Sequence, residues 1–171
     1  MRAIVKYISR FVVLVLLQVL ILNQLEVGWG IQLMVYPLFI LLLPVELGVI
    51  YLMLIAFGMG MLIDSISNTF GLHTSALLTV AYLRPIIFRA FAPRDGYELN
   101  VETNIHEMGN SWFIQVFGIL LLVHHFSFFM LEMFKLNEIF FVLQKTGLSF
   151  VLSMILCILL QFLLIKKKSS E

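Results

Sequence analysis

The chain has 171 residues, 61% of them hydrophobic, and a mean hydropathy of +1.05. Only 12% are charged, against about 25% in an ordinary soluble domain, and a soluble fold of this length could not keep so much apolar surface from water. The net charge of +1 is uninformative until the charges are placed along the chain, and the lone Cys157 excludes an internal disulfide and a multi-cysteine metal site.

A membrane-spanning helix needs about 20 predominantly apolar residues. Six segments qualify or nearly do: 7–25, 31–43, 47–66, 72–91, 111–131 and 139–165. The first follows Arg2, Lys6 and Arg10, as a signal peptide would, but residues 23–26 (Asn-Gln-Leu-Glu) offer no small-residue cleavage site. It reads as a retained span. The second segment is short and carries Pro37, so tilt, local bilayer thinning and partial re-entry all remain open.

Parity favours a full crossing. Six spans place Arg2, Lys6, Arg10, Arg84, Arg89, Arg94 and Lys166–Lys168 on one side, nine of the 11 basic residues, leaving Lys135 and Lys145 opposite. That asymmetry marks the cytoplasmic face and puts both termini there. Trp29 and Trp112 fall at interfaces, where amphipathic rings belong. The expected architecture is an all-α membrane protein, a bundle of about six transmembrane helices in one domain.

On the third segment Ala56, Gly60 and Asp64 recur every fourth residue, and small residues so spaced let another backbone approach closely. Asp64, at the carboxyl end of that helix, needs a donor against the helix dipole. The start of the next helix, just past Gly71, offers free amides, and His73 is a second candidate. Asp64 therefore either ties the turn between helices or meets a partner or ligand. In the fourth segment Arg84-Pro85 reads as a snorkelling arginine before a proline kink.

The polar connection 92–110 contains His106-Glu107-Met108-Gly109-Asn110, which lacks the second histidine of a zinc-protease motif. On the fifth segment Ser111, Gln115, Gly118, Leu122, His125, Phe129 and Glu132 form the expected packing seam, with His125 inward and His124 pointing elsewhere. The sixth carries Lys145, Ser149, Ser153, Cys157 and Gln161 at four-residue intervals, a bundle-packing row. No nucleophile elbow, phosphate-cradling glycine loop or intramembrane aspartate pair is present, so the inventory points away from an enzyme and calls for no cofactor.

The stretch Gly58-Met59-Gly60-Met61-Leu62-Ile63-Asp64, followed by Phe70-Gly71-Leu72-His73, resembles the rod shape-determining protein MreD family. Tyr36-Pro37 upstream and Pro44 closing the second segment resemble it too, and the specific likeness is confined to about 37–85. The acidic connection 92–110 is more elaborate than in a minimal member. The resemblance implies a non-catalytic component of bacterial cell elongation in the cytoplasmic membrane. Its implied partners are the bitopic protein MreC, met through a transmembrane helix, and, directly or indirectly, MreB and RodA with its transpeptidase; nucleic acid is not among them.

Ala56, Gly58, Gly60, Asp64, Gly71, His73 and Arg84 are the expected packing or partner-contact residues, with no metal role. Helix 3 around Gly60 should either pack inside the bundle or dock the MreC helix. Two other functions compete. A substrate-capturing subunit of an energy-coupling-factor vitamin transporter would need a polar outer pocket, drawn from Asn23, Gln24, Glu26, Asp64, Asn68 and His73. An intramembrane enzyme would need His124, His125 or Asp64 to converge near the membrane midplane.

Overall fold

The computed structural model describes residues 2–25, 27–99, 101–134 and 136–165, and every regular element among them is helical. Glu26, a pocket candidate above, and Lys135 and Lys166–Lys168, which enter the charge reading, lie outside the described residues. The elements are α1 (Arg2–Leu16), α2 (Pro37–Leu42), α3 (Val49–Ser67), α4 (Leu72–Ala90), α5 (Ile105–Met108), α6 (Asn110–Met133) and α7 (Ile139–Leu164). The first helix runs on through a π turn, Leu17–Ile21, and a 3-10 turn, Leu22–Gln24.

Four helices are long and apolar enough to cross a membrane: Ile4–Gln24, Val49–Ser67, Asn110–Met133 and Ile139–Leu163. Their outward faces carry exposed Ile8, Leu20, Leu54 and Leu159, side chains that lipid accommodates and water does not. Helix α4 has the same 19 residues as α3 but carries His73, Arg84 and Arg89. It lies between α3 and α6, and α7 completes the row against α6.

The second predicted span is not a helix of spanning length. Residues 31–35 form no helix, and Tyr36, at φ −61° and ψ −26°, leads into Pro37. Pro37 then starts α2, which lasts six residues. Residues 34–43 are all buried inside the bundle. Non-helical backbone survives at membrane depth only where protein satisfies it, and here side chains do so. The Gln18 amide donates to Leu33 O at 2.9 Å, and its carbonyl oxygen accepts from Val35 N at 2.9 Å.

Ser149 and Ser153 of α7 accept from Gln32 N at 3.0 Å and Met34 N at 2.9 Å. Two extended residues advance about 6.6 Å and four helical residues about 6.0 Å. A four-residue serine repeat thus meets alternate amides of an extended segment. The row on α7 is a rail for this inner segment as well as a packing ridge. Gln18 sits within the π turn of α1, and such turns re-aim a helix face.

Arg84 does not snorkel. It is 1% exposed, and α4 continues through Pro85 to Ala90. Its guanidinium donates to Leu41 O at 3.2 Å, to Leu43 O and to Pro44 O at 3.3 Å, and lies 4.3 Å above the Phe88 ring. The short α2 ends inside the protein, so its last carbonyls need a buried donor, and a cation suits that end of a helix.

The connection 92–109 closes the same end of the bundle. Glu102 takes Lys6 and, at 3.0 Å, Arg10 of α1. The Thr103 hydroxyl donates to Leu41 O, and Ile105 N donates to Gln161 of α7 at 3.2 Å. The amino-terminal turns of α1 and the carboxyl-terminal turns of α7 therefore meet at one end. His106 and Glu107 belong to α5, whose first amides are capped by Asn104.

The expected seam on the fifth segment is only partly the buried face of α6. Gly118, His125 and Phe129 are buried, whereas Ser111, Gln115, Leu122 and Glu132 are exposed. Phe113, Val116, Phe117, Leu120, Leu121 and His124 are buried as well. Contact with both α4 and α7 makes the covered face wider than one heptad stripe.

Candidate functional site

Ala56, Gly60 and Asp64 lie on the buried face of α3, against α4. A Cβ built on Gly60 would fall on the Thr74 backbone, 2.9 Å from its nitrogen and closer still to its Cα. The two backbones touch there, and only glycine permits it. One turn further on, the Asp64 carboxylate accepts from the Thr69 hydroxyl at 2.6 Å and the His73 amide at 3.1 Å. Its other oxygen accepts from Thr74 N at 2.9 Å and the Thr74 hydroxyl at 2.6 Å.

The turn that brings these donors round is tight. Asn68 and Phe70 adopt φ +55° and +46°, and Gly71 adopts φ +89°, opening α4. Asp64 thus caps α4 from the preceding helix, where the first amides are free and the dipole favours an anion. Replacing Asp64 by alanine is expected to lower stability in detergent by about 3 kcal/mol, since buried donors to a charged acceptor lose it together. Asparagine keeps one acceptor oxygen and is expected to cost about half as much. Thermal unfolding of the three proteins measures both, and equal melting temperatures would refute the cap.

His73 turns its ring inward from the same helix start. The Tyr36 hydroxyl lies 2.7 Å from His73 Nδ1 and 2.7 Å from His124 Nε2. His124 does not point elsewhere: both it and His125 are fully buried. His125 Nδ1 donates to Leu121 O at 2.9 Å, which leaves Nε2 to accept from the Ser153 hydroxyl at 3.1 Å. Ser153 in turn accepts from Met34 N. Two adjacent histidines on one helix can both be buried because one faces the α4 side and the other α7.

Beside this network lies a polar cavity of about 600 Å³, lined among others by Asn23, Gln32, Thr69, His73, Glu132 and Lys145. Glu132 accepts from Gln32 Nε2 at 3.0 Å and from Lys145 Nζ at 2.9 Å. Two strongly exposed aromatic residues with positive φ, Trp29 and Phe70, each adjoin a lining residue. Gln18, Gln32, Tyr36 and Glu132 were absent from the pocket candidates drawn from sequence. A lone amide in the apolar run of α1 was the one local signal for Gln18. The rest converge only through the fold.

A second concavity, about 560 Å³, is an apolar groove between α1 and α3 over α2, lined by Tyr7, Phe11, Phe39, Leu47 and Leu54 among others. Gly58 lies in its wall, and a Cβ there would meet nothing within 4 Å. The structure therefore divides the candidate residues. Ala56, Gly60, Asp64, Gly71 and His73 share the α3–α4 hairpin, Gly58 faces outward into the groove, and Arg84 lies about 16 Å along α4 from His73. Among the described residues no group of three or more His, Cys, Asp or Glu could hold a metal ion. Comparison with family models, with curated proteins and with solved structures finds no match to this chain.

Proposed function

We propose that the chain is a non-catalytic scaffold of the bacterial cell-elongation machinery, of the MreD kind, and that the groove between α1 and α3 receives the transmembrane helix of MreC. The observation that carries the docking assignment is the groove itself: apolar, of about 560 Å³, with an outward glycine in its wall. Helices associate in lipid through close backbone approach at small residues, and the bundle leaves Gly58 unspent in the groove wall. Gly60 is already committed to Thr74.

In this reading the end holding Lys6, Arg10 and Arg84 faces the cytoplasm of a bacterial inner membrane. The chain then crosses six times, residues 31–43 supplying the second passage as an irregular segment and short helix. The scaffold would pass MreC, and through it MreB and RodA with its transpeptidase, a fixed arrangement during side-wall peptidoglycan insertion. The resemblance over 37–85 supports the family, and the engagement of the buried polar side chains in holding backbone supports a structural part.

The polar cavity favours a second reading, capture of a small molecule as a subunit of an energy-coupling-factor transporter. Pull-down from native membranes into nanodiscs, analysed by mass spectrometry, separates the two. Recovery of MreC and the elongation synthases supports the scaffold; paired ATPase subunits with a bound vitamin would replace it. Gly58→Trp is expected to fill the groove and lower MreC recovery at least about tenfold, the equivalent of a lost interface anchor, with an unchanged melting temperature. Full recovery of MreC by that variant would move the docking site elsewhere.

A further inference from the structure

We infer that His73 presents a ring N–H into the polar cavity, which makes the cavity a binding site for a small molecule bearing a carboxylate or carbonyl oxygen. The inference begins with proton counting. Tyr36 is fully buried and its hydroxyl has one proton, yet it stands 2.7 Å from a nitrogen of each of two histidines. One ring must therefore donate to the Tyr36 oxygen while the other accepts its proton. Two directions are possible, and they place opposite groups at the cavity.

If His73 donated through Nδ1, Tyr36 would donate to His124 Nε2, and the His124 proton would sit on Nδ1. That atom is buried without a partner, so an N–H there would bear the full desolvation penalty of an unsatisfied donor. In the other direction His124 Nε2–H donates to Tyr36, Tyr36 donates to His73 Nδ1, and only a lone pair is left at His124 Nδ1. Both rings then carry their proton on Nε2, the intrinsically preferred tautomer of a neutral imidazole. Burial away from a paired countercharge keeps His124 neutral.

His73 is 3% exposed and lines the cavity. Its Nδ1 is spent on Tyr36, and its Nε2 is absent from the buried polar atoms that lack a partner. The Nε2–H is thus the ring donor turned to the cavity. The other donors there are largely committed to the cavity's own acceptors: Asn23 to Ser67, and Gln32 and Lys145 to Glu132. The Glu132 charge is balanced by Lys145 in the same pair. What the site lacks is an acceptor oxygen opposite His73, and a volume of about 600 Å³ suits a small molecule. Loop residues, Val27, Gly28 and Thr69 among them, form part of its wall. This site is independent of the groove that the scaffold reading uses.

The test is nitrogen-15 NMR of ring-labelled histidine in the full chain in nanodiscs, titrated with acetate and, as a control, methylammonium. The expected spectrum shows His73 and His124 both protonated at Nε2, with the His73 Nε2 resonance moving on addition of acetate and not of methylammonium. A His73 proton on Nδ1 overturns the inference, and so does an acetate-insensitive resonance. His73→Phe is expected to weaken acetate binding at least about tenfold, read by equilibrium binding of radiolabelled acetate to the nanodiscs. Tyr36→Phe, which leaves His73 in place, is expected to let both His73 tautomers appear. A single Nε2–H form in that variant would show that Tyr36 does not set the direction.

Discussion

Gly60→Leu is expected to prevent recovery of a folded protein, with a loss of about 3 kcal/mol or more. Overpacking of an interior typically costs about 1–3 kcal/mol when side chains can shift, and here the obstacle is backbone. The added Cβ would land on Thr74 Cα and N, and Thr74 N is itself held by Asp64 at 2.9 Å. Pushing Thr74 away would open the cap as well as the helix contact. Gly60→Ala is expected to lower stability by about 2 kcal/mol, because the Cβ alone meets backbone. Gly58→Leu, two residues earlier, is expected to be tolerated, since that position opens to the groove. Size-exclusion profiles and thermal unfolding in detergent measure all three. Equal melting for the two leucine variants would mean that α3 and α4 stand further apart than described.

Arg84→Leu is the second large effect. Its guanidinium holds carbonyls of Leu41, Leu43 and Pro44 at the end of an inner helix, where Leu41 O also accepts from the Thr103 hydroxyl. Removing the cation takes the donor from buried Leu43 O and one of the two donors from Leu41 O, and is expected to cost about 3 kcal/mol, as breaking a buried charged contact does. Arg84→Lys keeps the charge but cannot span several carbonyls with a rigid fork, so roughly half of the loss is expected to remain. Unfolding in detergent would again be the measurement. A snorkelling arginine would give the leucine variant near-normal stability, and that result would refute the cap.

The two substitutions act at opposite ends of α4, and both bear on how the inner segment 31–43 is held. At one end Tyr36 bonds His73, whose amide Asp64 also holds. At the other, Arg84 grips the segment's last carbonyls. A helix seeded at one end and latched at the other makes α4 the mount for a buried passage that has little regular hydrogen bonding of its own.

How much of this was legible beforehand depends on the range of the interaction. Apolar length is a property of each segment alone, so five of the predicted segments coincide with helices. The Ala56–Gly60–Asp64 spacing is likewise local, and the α4 amides lie only nine and ten residues beyond Asp64. The second segment misled because Pro37 and Pro44 mark the limits of a short helix, while the extended residues before it depend on Gln18, Ser149 and Ser153, up to 119 residues away. Arg84 misled because its position along the chain fits an interface and its partners are 40 to 43 residues upstream.

The sequence by itself determined that this is an apolar, all-helical chain with membrane-spanning segments, since hydropathy and the need to satisfy backbone groups in lipid are set residue by residue. It also determined which face of α3 is small enough to let another helix approach. Only the tertiary structure decided that α4 is that helix, that Gly58 rather than Gly60 faces out of the bundle, and that His73, Tyr36 and His124 share one hydroxyl. Those outcomes follow from which buried polar group finds which donor across the bundle, and no local pattern encodes a choice made between segments.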